Sequence, residues 1–166
     1  MTTVQRNIEP DNVLYRVKRG LCGYISYLAA CEANEAFSEY VLYEPILRVL
    51  MARNFKVRCE YECPGIQQPK QGDKKRLDFY VQGNDIEFSM EVKWAKSSKI
   101  NVSRDLEKLR AFLDMKHEAL AFLCVFGRQS HIENIVLGNE QLKEHGQPVY
   151  ANLRRTKYGC RIFNVT

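Results

Sequence analysis

Apolar and polar residues alternate most regularly in the middle of the chain. In RLDFYV, Leu77, Phe79 and Val81 share one parity, and Asp78 and Tyr80 share the other. In IEFSMEVKW, Phe88, Met90, Val92 and Trp94 alternate with Glu87, Ser89, Glu91 and Lys93. A period of two over this length predicts strands with one apolar and one polar face. The intervening QGND is a hairpin turn signal. KVRCEYEC (56–63) alternates enough to be a third strand, and PGIQQPKQGD after it reads as a loop. ALAFLCVF (119–126) is apolar throughout, as expected of a strand buried on both faces.

Helical spacing dominates elsewhere. Leu21, Ile25 and Leu28 predict a helix within 12–33, weakened near its start by Gly20 and Gly23. A second helix is expected from near Phe37 to Arg53, with Leu42, Ile46, Val49 and Leu50 on one side. Pro45 disfavours helical geometry at Glu44, so a kink or restart is expected there. Ser103 is placed to cap a helix running to about His117, with Asp105 favourable in its first turn and Leu106, Leu109 and Leu113 as its stripe. A helix near Ile132 to Glu144 and a strand at Tyr158 to Val165 complete the reading. The order predicts an α/β fold with helices on a central mixed sheet. It is organised as one domain, 1–166, with an N-terminal helical extension (1–35), a core (about 36–127) and a C-terminal helix and strands (128–166).

Composition narrows the function classes. The 166 residues give room for one packed core, and 45% apolar with 27% charged residues excludes a disordered chain. A net charge of +5 suits a polyanionic partner without requiring one. MTTVQRNIEP has no apolar leader-like run, and ALAFLCVF is far shorter than a membrane helix, so a soluble, cytoplasmic protein without membrane contact is expected. The six cysteines contain no C-x-x-C pair. Cys59 and Cys63 lack two further zinc ligands of suitable spacing, so reduced thiols are expected, with Cys124 buried. No G-x-S-x-G, P-loop or G-x-G-x-x-G is present.

The hairpin carries the candidate chemistry. A turn centred on Asn84–Asp85 pairs Gln82 with Glu87 and sets Asp78 opposite Glu91, with Cβ atoms about 5 Å apart. Carboxylates that close repel unless neutralised, and a hard divalent cation such as Mg²⁺ is a natural partner. Lys93 lies on the same face as Glu91 and is suited to steering a water or neutralising a phosphate. The alternative is a solvated hairpin face with Glu91 and Lys93 as a weak surface pair. Glu44 sits among Val41, Leu42, Ile46 and Leu47 and is either a further site acid or the salt-bridge partner of Arg48 one turn on. Lys96, Lys99 and Arg104 after the hairpin, and Lys74, Lys75 and Arg76 before it, are candidate phosphate contacts. Trp94 either stacks on a base or packs internally.

With Glu44 in LYEPILRVL, Asp78 in RLDFYV, Glu91-Val92-Lys93 in MEVKW, then SRDLEKLRAFL and ALAFLCVF, the chain resembles the PD-(D/E)xK nuclease superfamily over roughly residues 36 to 127. The proline that usually precedes the family's aspartate is Leu77 here. The resemblance implies a restriction-endonuclease-like core and hydrolysis of a phosphodiester with Mg²⁺ or Mn²⁺. Asp78, Glu91 and the Val92 carbonyl would hold the metal, Glu44 would add a further carboxylate, and Lys93 would position or activate water. DNA is the favoured substrate, cut internally. RNA cleavage, or a non-catalytic nucleic-acid- or protein-binding module of the same fold, are the alternatives. Cutting both strands of a duplex calls for two sites, hence an expected homodimer.

Overall fold

The computed structural model describes residues 8–33, 38–138, 142–153 and 155–166. Among these residues, four α-helices, α1 (Ile8–Ala30), α2 (Tyr43–Met51), α3 (Ser103–Met115) and α4 (Gln129–Glu133), flank a seven-stranded mixed sheet. Its strands are β1 (Lys56–Glu62), β2 (Arg76–Gln82), β3 (Glu87–Ala95), β4 (Leu120–Arg128), β5 (Leu142–Glu144), β6 (Val149–Leu153) and β7 (Thr156–Val165). They lie in the order β1-β2-β3-β4-β7-β5, and β6 also pairs with β7. The first three strands form an antiparallel meander. β4 then runs parallel to β3, and α3 supplies the long crossover that such a pairing requires. No helix among the described residues is long and apolar enough to cross a membrane.

Two cores lie on opposite faces of the sheet. Val13, Leu14, Val17, Leu21 and Ile25 of α1 join Ile46 and Leu50 of α2 over Phe79, Phe88, Met90, Phe122 and Phe126. Leu106, Leu109 and Phe112 of α3 cover Leu77, Tyr80, Leu123 and Val125 on the other face. β4 serves both cores, which explains its unbroken apolar run. α1 approaches α2 closely at Gly20, where a Cβ would lie 2.8 Å from Val49 Cγ2, so this glycine is a packing device rather than a weak point. A 3₁₀ turn at Glu39–Leu42 precedes α2, and Pro45 falls in the first turn of α2, where its missing N–H is tolerated. The break expected at Glu44 therefore comes just before it, while Phe37 lies outside the described residues.

Three expectations are corrected. The helix near Ile132 to Glu144 is only the short α4, after which Val136 forms an isolated bridge with Lys99 and β5 begins at Leu142. The Val136 N–H reaches Ser98 O at 2.8 Å, and Gly138 has φ 64°. Ser103 is the first residue of α3 rather than its cap, and its N–H is taken by the Asn101 side chain at 3.0 Å. Leu77 does not share a face with Phe79 and Val81. The β1–β2 register runs Cys59↔Phe79 and then Tyr61↔Leu77, and Glu60 between them has φ 52°. This bulge-like reversal turns Leu77 and Tyr61 toward α3, while Phe79 and Val57 face α1 and α2. Asp78 sits at the reversal.

Candidate active site

The hairpin register is the one the sequence predicts, with Gln82↔Glu87 through Phe79↔Met90 paired and the Gly83 N–H closing the turn on Ile86 O at 2.8 Å. The backbone ladder gives way at the next pair, Asp78 and Glu91, to side-chain bonds. The Asp78 N–H donates to Glu91 Oε1 at 3.2 Å, and the Val92 N–H donates to Asp78 Oδ2 at 2.7 Å. Each carboxylate thus grips the backbone of the opposite strand, which fixes both within reach of each other. Glu91 is 1% exposed and Asp78 partly buried, so the solvated-face alternative does not describe this hairpin.

α3 supplies the counter-charges. Lys108 Nζ bonds Glu91 Oε2 and donates to Arg76 O at 2.8 Å, with Asp105 Oδ1 at 3.9 Å. Lys93 Nζ lies 3.1 Å from Asp105 Oδ2. Both lysines, Asp105 and Glu91 therefore form one continuous network beneath α3. From the other side, the Tyr43 hydroxyl of α2 stands by Asp78 and donates to Glu60 Oε1 at 3.5 Å, and Glu39 Oε1 accepts the Trp94 N–H at 3.0 Å.

Burial first, and then the charge of Asp78, push the Glu91 carboxyl well above the ordinary carboxylate range against the opposing pull of Lys108. Asp78 is raised too, by burial, against the opposing pull of the nearby Tyr43 hydroxyl and of the Val92 N–H. Burial works to lower Lys108 and Lys93, but Glu91 and Asp105 respectively outweigh it, and both ammoniums are raised. One lysine contact thus fails to offset two neighbouring buried carboxyls. The pair favours a bound proton or additional positive charge.

Asp78, Glu39, Asp105 and Lys108 border a hollow of about 640 Å³ rimmed by Lys74, Lys75, Arg76 and Arg104. Lys93, Lys96 and Lys99 line a neighbouring hollow of about 570 Å³, and Glu39 and Tyr40 stand between the two. The basic residues named from sequence thus gather around the acids, although Lys74, Lys75 and Arg76 face Glu62, Glu107 and Glu60. Glu44 is not brought to the site. It lies on the exposed side of α2 paired with Arg48, and Glu39 occupies the approach from that side instead. Trp94 packs against Phe126 and Tyr158, with ring centroids at 5.2 and 5.9 Å, so the packing alternative holds for it.

Sequence reasoning missed Lys108, Asp105 as a site residue, Glu39 and Tyr43. A signal existed for two of them. Asp105 and Lys108 are in helical phase with Leu109 and Phe112, placing two charges on the buried stripe of α3. Nothing local distinguishes Glu39.

As to metal, Asp78 and Glu91 are hard oxygen donors in a buried, cation-seeking setting, which suits Mg²⁺ or Mn²⁺. Among the described residues no group of three or more His, Cys, Asp or Glu side chains is arranged around a metal position. Both Glu91 oxygens already carry partners, Asp78 N–H on one and Lys108 on the other. The donor set fits such a cation once Lys108 yields its oxygen. All six cysteines are thiols, and Cys124 is fully buried, 3.6 Å from Cys160 Sγ to Sγ.

Compared with known protein families, curated proteins and solved structures, the chain shows no significant match to any of them.

Proposed function

We propose that this protein is a divalent-metal-dependent nuclease of the restriction-endonuclease-like type, cutting DNA internally. The observation that carries the reading is the mutually clasped Asp78–Glu91 pair, Glu91 buried and Asp78 partly so, with Lys93 two residues on along the same strand. Such a pair is costly to fold unless the site needs it for a cation. The order of helix, three antiparallel strands, crossover helix and parallel strand supports the same reading, since the resemblance implies that core.

In this reading Asp78 and Glu91, with the Val92 carbonyl, hold the metal. A bound Mg²⁺ or Mn²⁺ supplies a water of lowered pKa and offsets charge on the phosphate. Lys93, oriented by Asp105, steers the attacking water at its Nζ. The basic rim of both hollows seats the flanking phosphates, and duplex cleavage calls for a homodimer.

The test is cleavage of supercoiled plasmid, a four-way junction, single-stranded DNA and RNA, with Mg²⁺ or Mn²⁺ against EDTA. Wild type should cut, Glu91→Ala and Lys93→Ala should lose activity by orders of magnitude, and the preferred substrate separates DNA from RNA chemistry. The saturation of both Glu91 oxygens favours a second reading, a non-catalytic binding module of the same fold. Absence of cleavage together with absence of calorimetric metal binding would overturn the first reading.

A further inference from the structure

Lys108 is the feature of the site that the cleavage reading leaves unused. Its ammonium lies beneath α3 with 16% of its side chain exposed, on a stripe shared with Asp105, Leu109 and Phe112. A leucine there would extend the apolar stripe, whereas an ammonium must be desolvated. The position nevertheless holds a lysine whose Nζ is fixed by three acceptors: Glu91 Oε2, Arg76 O at 2.8 Å and, more distantly, Asp105 Oδ1 at 3.9 Å.

The first of these contacts has a chemical consequence. Because Asp78 N–H holds Glu91 Oε1, Oε2 is the oxygen on which an incoming cation depends, and Lys108 covers it. A dication and an ammonium cannot share that oxygen at contact distance without strong repulsion. We propose that Lys108 is an internal counter-ion that occupies the place of the divalent cation at Glu91 in the metal-free protein and must swing away for the metal to bind. This rests on the metal-dependent reading above. Lys108 is then a positioning residue. It keeps Asp78 and Glu91 together when no metal is present, and it weakens the intrinsic affinity of the site. The open space beside it is the hollow rimmed by Lys74, Arg76 and Arg104, and its four-carbon stem is flexible enough to turn there. Metal entry therefore places one more ammonium where a phosphate would lie.

The test is calorimetric titration of Mn²⁺ into the purified full chain without nucleic acid, comparing wild type with Lys108→Met, Lys108→Gln and Lys93→Met. Lys108→Gln keeps a donor for Arg76 O and guards against loss of fold, which circular dichroism checks. Lys93→Met removes an equal charge from the same network without touching Glu91. We expect both Lys108 variants to tighten Mn²⁺ binding by roughly tenfold or more and Lys93→Met by under about threefold, within the usual span of couplings between sites. Equal affinity in wild type and the Lys108 variants would overturn the counter-ion role while leaving the metal site standing. So would equal tightening by Lys93→Met, since charge alone would then explain the effect. Absence of Mn²⁺ binding in every folded variant would overturn both this inference and the metal-dependent function.

Discussion

Replacing Glu91 with glutamine should make the metal-free protein more stable at neutral to alkaline pH, and increasingly so as pH rises. Around the site stand four carboxyls, Glu39, Asp78, Glu91 and Asp105, against two ammoniums, Lys93 and Lys108. The Glu91 carboxyl is raised in the folded state from its usual 4.5. Stability linked to it is therefore complete below that value and is lost as pH climbs through the raised pKa, because the unfolded chain gives up its proton first. Each pH unit spent in that window costs about 1.4 kcal/mol, so two such units cost roughly 3 kcal/mol. The glutamine amide cannot accept from both Asp78 N–H and Lys108, which takes back about 1 kcal/mol. A net gain of about 2 kcal/mol corresponds to roughly 4–8 °C in a domain of this size. Thermal melting of both proteins in EDTA, from about pH 5 to about pH 8, measures it. At the acidic end the variant should melt slightly below wild type, by the roughly 1 kcal/mol of lost hydrogen bonding, and it should rise above wild type as pH climbs, even in high salt, since the group is buried. A variant less stable than wild type at the alkaline end, or a difference independent of pH, would refute the account of the site as over-supplied with negative charge.

The remaining predictions concern residues near the pair and the strand behind it. Glu39→Gln should lower metal-dependent cleavage at least tenfold, as expected for a group facing the reacting centre. Glu44→Ala should leave cleavage unchanged and move stability by no more than about 0.5 kcal/mol, since its pair with Arg48 is exposed. Kinetic assay of the two variants side by side decides between them. Gly127→Ala should destabilise by about 1–3 kcal/mol in denaturant titration, because its Cβ would lie 2.6 Å from Ala95 O and 3.0 Å from Ala95 Cβ.

Much of the site was legible because the hairpin is short and its turn fixes register. Once Gln82 faces Glu87, Asp78 and Glu91 have to meet. The first three strands, α1 and α3 also announce themselves by period. The C-terminal third was less readable. Ile132, Ile135 and Val136 look helical by spacing, yet the helix ends at Glu133 and the Val136 N–H goes instead to a carbonyl that Ser98 offers from a distant loop. Val149, Ala151 and Leu153 alternate in β6, a short signal hidden beside two arginines. Glu44 was the more prominent acid in the sequence because it sits among apolar residues, but the helix turns it outward. Glu39, in an unremarkable stretch, is placed by the 3₁₀ turn. Lys108 illustrates a different limit. A charge on an apolar stripe announces a buried partner but does not say which one.

The reversal of the pleat at Glu60 and Asp78 ties the position of the acid to the integrity of the whole molecule. Leu77 on one side of Asp78 is anchored in the layer under α3, and Phe79 on the other side is anchored in the layer under α1 and α2. The aspartate is held like a rivet through the sheet. To slide along the strand it would have to withdraw one of two fully buried side chains, each worth roughly 2–3 kcal/mol. Loosening either layer should therefore displace the same carboxylate, although the two layers lie on opposite faces of the sheet.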